Sequence, residues 1–266
     1  MAHSSKIQLE EKNVRENVIK WLNIGFLISI IVVSFAFLEV NPVDILVAPI
    51  SMIIFMVENF FPPNLNNLSR YFPAILTTLF FAVAATYFSA FFAFIFGVLM
   101  SKHLNPSPVL RNVTRYFVSF LRNIPVLIWA QLLIFVFGIG NMVGLVALVF
   151  ATVGFLARSY GESMDDIAGE RLEAIQATGA NYMQILVHGV IPEFTTSWLN
   201  WTLYSFEVNI RISAILGVVG AGGIGAVIQT NILIRNFTEA STLIIILVIM
   251  VIMTELAVGY IRKKII

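Results

Sequence analysis

Long apolar runs separated by short polar breaks make up most of the chain, and one polar stretch, 158–192, interrupts them past the middle. Runs at 21–40, 72–100, 116–138, 142–157 and 241–260 are each read as a helix crossing a hydrocarbon core of about 30 Å. The segment 193–229 is too long for one straight helix, so a break is expected at its glycine cluster. Asp44, Pro49 and Glu58 interrupt 43–61, which is barely long enough to span and predicts an interfacial helix on the outer face, ended by Pro62 and Pro63. Residues 1–20 are charged, with Val14, Val18, Trp21 and Leu22 at helical spacing, which predicts an amphipathic helix on the cytoplasmic surface. That charged segment is long and no small-residue cleavage site follows the first run, so the run is expected to stay as an anchor.

Within 158–192, Glu170, Arg171, Glu173, Ala174, Gln176 and Ala177 predict a short helix stopped by Gly179. Asn181 is placed to cap a second short helix that runs to Pro192.

Composition removes the soluble alternatives. Of 266 residues, 59% are hydrophobic and 12% charged, more apolar surface than a soluble core of this size can hide. A net charge of +1, with no basic cluster interleaved with aromatics, argues against a nucleic-acid partner. The chain has no cysteine, which excludes disulfides, thiolate metal sites and cysteine nucleophiles. His3, His103 and His188 are scattered, so no metal site is expected. Glu162, Asp165 and Asp166 read as a solvated face at a helix end. Of the sixteen lysines and arginines, an inside N-terminus puts thirteen on the inner side: Lys6, Lys12, Arg15, Lys20, Lys102, Arg111, Arg115, Arg122, Arg158, Arg171, Arg262, Lys263 and Lys264. Both termini and the central loop are therefore expected in the cytoplasm.

Candidate chemistry concentrates in 200–225. On a helix, Asn200, Tyr204, Glu207 and Arg211 share a face, and Glu207 with Arg211 has the i, i+4 order that favours pairing. Charges in a span mark a pathway or a water-filled cavity by default, and a structural ion pair is the equal alternative. Gly217, Gly220, Gly222, Gly223 and Gly225 follow. Gly220, Gly222 and Gly225 satisfy G-x-G-x-x-G with Glu239 beyond them, but that motif has meaning only between a strand and a helix, and the flanks here are membrane helices. The open readings are a break that lets backbone approach closely, a gating hinge, or plain helix packing.

Two resemblances sharpen this. Glu173, Ala174, Gly179, Ile191 and Pro192 resemble the E-A-A, Gly and Leu-Pro signature of permease subunits in binding-protein-dependent ABC importers, with departures at Ile175 and Gly189. The run Glu207, Asn209, Ile210, Arg211, Leu216, Gly217, Val219 and Gly220 to Gly225 is similar to the E-x-N-I-R and L-G-x-V-G-A-G-G-I-G segment of phosphonate importer permeases. Phe61, Pro62 and Pro63 and the residues Arg122, Pro125, Trp129 and Ala130 add to that second likeness. It extends over roughly 60–262.

The resemblance implies an all-α membrane protein of about six transmembrane helices, with a five-helix importer permease core and a cytoplasmic coupling-helix loop. Its domains would be 1–60, holding the amphipathic helix, first span and interfacial helix, and 61–266, the permease core. Glu170, Glu173, Ala174, Ile175, Thr178, Gly179, Ile191 and Pro192 would dock a cytoplasmic ATPase. Tyr204, Glu207, Asn209 and Arg211 would line the pathway, and the five glycines would form the hinge. The implied partners are a second copy, two ABC ATPase subunits, an extracytoplasmic solute-binding protein and the bilayer of a bacterial cytoplasmic (inner) membrane. No Walker A sequence occurs, so the chain is expected to be no enzyme and to bind no cofactor, with ATP and Mg used by the partner ATPase. The implied cargo is phosphonate, phosphite or phosphate. Another small solute such as methionine, or an ion-coupled secondary transporter, is the alternative.

Overall fold

A computed structural model describes residues 2–66, 68–176 and 179–265, with side chains for 16–66, 68–169, 179–181 and 183–265. The described residues form helices and no strands. They fall into two compact units, Met1–Asn59 and Phe60–Ile266. The first holds α1 (Ala2–Phe37) and most of α2 (Pro42–Phe60). Both are long and apolar enough to cross a bilayer, and neither spanning segment has a buried residue. The 19 residues of α2 reach about 28 Å at 1.5 Å per residue, so Pro49 does not reduce it to a surface helix by length alone.

The second unit is built from α3 (Leu68–Met100), α4 (Pro108–Asn123), α5 (Val126–Phe137), α6 (Asn141–Gln176), α7 (Tyr182–Gln184), α8 (Ile191–Leu216), α9 (Gly223–Leu233) and α10 (Phe237–Ile265). Its apolar core runs through α3, α6 and α8. Ala93, Leu156, Ala157, Tyr160, Met164 and Phe194 pack there with almost no exposure. Small residues let the backbones close. A Cβ on Gly97 would lie 3.1 Å from Tyr160 Cβ, and one on Gly161 would lie 2.9 Å from Met100 Cγ. Polar pairs then fix the α6–α8 register, with Trp201 Nε1 donating to Ser163 Oγ at 3.1 Å and Tyr160 Oη 2.5 Å from Thr202 Oγ1.

Three sequence expectations change. The run 116–138 is not one straight helix, because α4 and α5 meet at a 92° bend. Pro125 has no N–H to continue α4 and drives Ile124 into extended backbone, φ −87° and ψ 120°. The indole Nε1 of Trp129 then donates to the Leu121 carbonyl at 3.2 Å, satisfying one of the acceptors that the end of α4 leaves open.

The second change concerns 142–157, which does not end at Ala157. It continues unbroken as α6 for 36 residues, about 54 Å, so the first part of the polar stretch is an extension of the span and not a separate short helix. Third, Pro192 is no boundary. Helical backbone runs through α7, a π-helical turn at Ile185–Val190 and α8, where Pro192 sits in the first turn and its missing N–H costs little.

Among the described residues, six helices are long and apolar enough to span, rising to seven if the bent pair is one pass. The expected number therefore stands with a different membership, because α2 enters the count and the bent pair supplies the seventh.

Candidate translocation and coupling sites

At the end of α6 the backbone turns through Gly179, whose φ of +79° lies in the left-handed region that glycine enters without a Cβ penalty. Asn181 and Gln184 then cap each other. Asn181 Oδ1 accepts from Gln184 N at 2.9 Å, and Gln184 Oε1 accepts from Asn181 N at 2.9 Å. The left-handed glycine and the cap both lie where the sequence puts them. Glu170, Glu173, Ala174 and Ile175 fall on the last turns of α6 with side chains outside the described residues, and Thr178 lies outside them altogether. Ile191 is half-buried and Pro192 exposed at the start of α8.

Asp165 ties this helix to the α3–α4 loop. Its Oδ1 accepts from Ser101 Oγ at 2.5 Å and from Lys102 N at 2.6 Å, and its carboxylate faces Arg115 at 3.7 Å and His103 at 3.5 Å. Its side chain is only 18% exposed, against 60% for Glu162, which pairs with Arg158 at 2.7 Å. Glu162 fits the solvated face expected from sequence, whereas Asp165 is the hub of a joint. Arg115 also donates from Nε to the Met100 carbonyl at 2.9 Å, so this side chain on α4 touches both α3 and α6. A polar cavity of about 370 Å³ lies at this joint, walled by Lys102, Arg115, Ser119, Arg122, Arg158 and the three acidic residues Glu162, Asp165 and Asp166.

Residues of α4, α6 and α8 also line a second, half-open cavity of about 250 Å³. Tyr204 and Asn209 are part of its wall, together with Arg122, Thr152, Phe155 and Ser205. Asn209, 1% exposed, is also a three-helix lock: Oδ1 accepts from Thr152 on α6 at 2.8 Å, and Nδ2 donates to Thr86 on α3 at 2.9 Å. Replacing it with leucine strands two buried hydroxyls and is expected to cost about 1–3 kcal/mol, read as a lower thermal midpoint of the purified complex.

Glu207 and Arg211 pair with each other on a different flank of α8 and do not line this cavity. Glu207 is 12% exposed and Arg211 48%. The structure thus brings together Tyr204 and Asn209, and separately Glu207 and Arg211. Sequence reasoning did not place Arg122, Thr152, Phe155 or Ser205 in this wall. The available signal was the spacing of Arg111, Arg115, Ser119 and Arg122, which places a polar stripe along one face of α4.

The glycine cluster sits where α8 breaks. Val219 (φ −93°, ψ 17°) and Gly220 (φ 89°) leave helical geometry before α9 begins at Gly223. Close approach is its most visible property: a Cβ on Gly225 would lie 1.7 Å from the Ala214 carbonyl oxygen, and one on Gly217 2.5 Å from Ala226 N. Nearby, Thr78 Oγ1 accepts from Ile224 N at 2.9 Å and ties the start of α9 to α3. Glu239, in the first turn of α10, is bonded to Tyr71 and Asn64 and has no part in a nucleotide loop.

Residues 93–265, which carry both cavities and the α6–α8 turn, match the model of the binding-protein-dependent transport system inner membrane component. The chain belongs to that family. The permease is 30% identical over 256 residues to the phosphate-import permease protein PhnE of Mycolicibacterium smegmatis, covering 95% of this chain and 48% of that protein. It therefore spans about half the length of that relative. It is 28% identical to the phosphite transport system permease protein PtxC of Stutzerimonas stutzeri, over 76% of this chain and 74% of that one. Among solved structures, an inward-facing MetNI methionine ABC transporter chain matches with a TM-score of 0.67 at 24% identity, covering 76% of this chain and 99% of that chain. That likeness shows the fold alone.

Proposed function

We propose that this permease carries phosphonate, or a related phosphorus oxyanion such as phosphite or phosphate, across a bacterial inner membrane as part of an ATP-driven importer. The observation that carries the reading is the likeness to phosphate and phosphite permeases over three quarters or more of the chain, running through the turn at Gly179. Two cytoplasmic ATPase subunits bind ATP and Mg and close, pulling on the 170–192 segments of two permease copies. The α6 extensions transmit that motion through Asp165 to the α3–α4 loop, and the spans rock between inward and outward states. Thirteen of sixteen cationic side chains then lie on the cytoplasmic side with both termini.

A solute-binding protein outside delivers the cargo, so cargo choice rests mainly with that protein. A second copy would cover the flank of α8 that carries Arg211, 48% exposed on a membrane helix. The five glycines at the break of α8 would give the rocking spans a place to bend.

The test is ATP turnover by this chain with its ATPase and binding protein in lipid discs, challenged in turn with phosphonate, phosphite, phosphate and methionine. Stimulation by one phosphorus ligand on its binding protein is the expected result. Stimulation by methionine alone would replace the cargo. Failure to retain any ATPase would reject the importer and leave ion-coupled secondary transport.

A further inference from the structure

Arg122, an exposed residue, lines both cavities, the half-open one between α4, α6 and α8 and the polar one at the α3–α4 loop. Among the described residues its guanidinium has no ion-pair or hydrogen-bond partner, whereas Arg115 and Arg158, in the polar cavity, face Asp165 and Glu162. A free guanidinium at the end of a membrane helix is costly unless it faces a wet cavity or an anion. A second polar group in the same wall is also unmatched. The hydroxyl of Ser205, a residue 2% exposed, has no hydrogen-bond partner among the described residues. A serine in a helix ordinarily returns its hydroxyl to the carbonyl four residues back, as Thr202 does to Trp198 at 2.6 Å. Tyr204 borders the same space.

We infer that the cavity between α4, α6 and α8 is a transient site for one small tetrahedral oxyanion, held by Arg122 with Ser205 and Tyr204, and that Arg122 passes the anion on to the polar cavity at the cytoplasmic end. This rests on the reading of the chain as a phosphorus-oxyanion permease. Guanidinium matches phosphoryl oxygens in charge and in bidentate geometry, and hydroxyl donors complete the set. The volume of about 250 Å³ holds one such anion with some water. The next cavity is suited to release. Its Arg115 and Arg158 face carboxylates, and Lys102 is balanced in charge by Asp166, so an anion leaving Arg122 meets no net positive charge in the rest of that wall before the cytoplasm. Because Arg122 and Arg115 are on the same helix, the Asp165 joint moves the site when α6 moves.

The experiment uses the full importer in proteoliposomes, with inorganic phosphate, phosphite and methylphosphonate as probes, and records uptake and binding-protein-stimulated ATP turnover in parallel. Arg122→Gln is expected to lower uptake roughly tenfold or more, the value of a lost charge-assisted hydrogen bond, with ATP turnover still stimulated. Arg122→Lys should recover a substantial part. Ser205→Ala separates a binding role from a structural one. Removing an unmatched buried hydroxyl leaves a merely structural position neutral or more stable, whereas the site reading requires slower uptake with an unchanged thermal midpoint. Arg111→Gln, on the same face of α4 and lining neither cavity, should transport as the parent does.

Full uptake by Arg122→Gln, or loss of ATP stimulation together with uptake in both Arg122 variants, would overturn the inference while leaving the importer reading intact. If the parent complex imports none of the three phosphorus anions, the cargo reading falls first and the oxyanion site with it. The failing arm identifies which has gone.

Discussion

A Gly179→Pro chain is expected to insert, dimerise and hold its ATPase, yet to import nothing. Gly179 has φ +79° and no neighbour within 4 Å of where a Cβ would stand, so its requirement is conformational and not spatial. Proline fixes φ near −65°, and the turn between α6 and α7 would have to be rebuilt. The reciprocal Asn181–Gln184 cap that starts the next helix depends on the direction in which that turn delivers the chain. Alanine at the same position incurs only the left-handed penalty of about 1–2 kcal/mol and should slow transport without abolishing it. The measurement is uptake alongside ATP turnover in the reconstituted complex. Normal uptake by the proline variant would remove the coupling assignment from this segment.

The second large effect lies in the membrane. Gly225→Ala places a methyl group 1.7 Å from the Ala214 carbonyl oxygen, and that oxygen is backbone within the last turns of α8. No side-chain rotation relieves the clash, so α9 must move away from α8 and take its contact with Thr78 along. The expected cost is at least about 3 kcal/mol, at the upper end of overpacking effects, and it should appear as poor recovery of monodisperse protein and a sharply lower thermal midpoint. Gly259→Ala, at a glycine inside α10 whose Cβ would meet nothing within 4 Å and whose backbone is helical, is the matched comparison and should be recovered in good yield. Recovery of Gly225→Ala at parental yield and midpoint would show that the break of α8 is looser than its geometry implies.

The cost of Gly225→Ala comes from close backbone contact, while a gating role for the same glycines needs them to change conformation. Trapping the complex in inward and outward states and measuring protection of the 217–225 amides would tell the two apart, since a hinge requires the contact between Gly225 and Ala214 to open.

Sequence by itself determined that the chain is helical and membrane-embedded, because apolar runs of spanning length leave no other way to satisfy backbone polar groups in lipid. It also determined the stop at Gly179 and the cap at Asn181, which depend on one or two neighbouring residues. The pairing of Glu207 with Arg211 follows in the same way from four-residue spacing. The bend after Ile124 was locally encoded in Pro125, but the uniform hydrophobicity on both sides hid it within a run of spanning length.

Only the tertiary structure decided the rest. Whether Arg158–Gln176 left the span or prolonged it was settled by Asp165, whose partners Ser101, Lys102 and Arg115 are more than forty residues away in the chain. Asn209 became a lock because α3 and α6 bring Thr86 and Thr152 to either side of one amide. Arg122 looked like one more cation on the inner side until the folding of α4 against α6 placed it between two cavities, without a partner among the described residues and in the same wall as a serine likewise unmatched. Those placements rest on contacts between distant segments, and a single chain's residue pattern specifies which faces are apolar but not which faces meet.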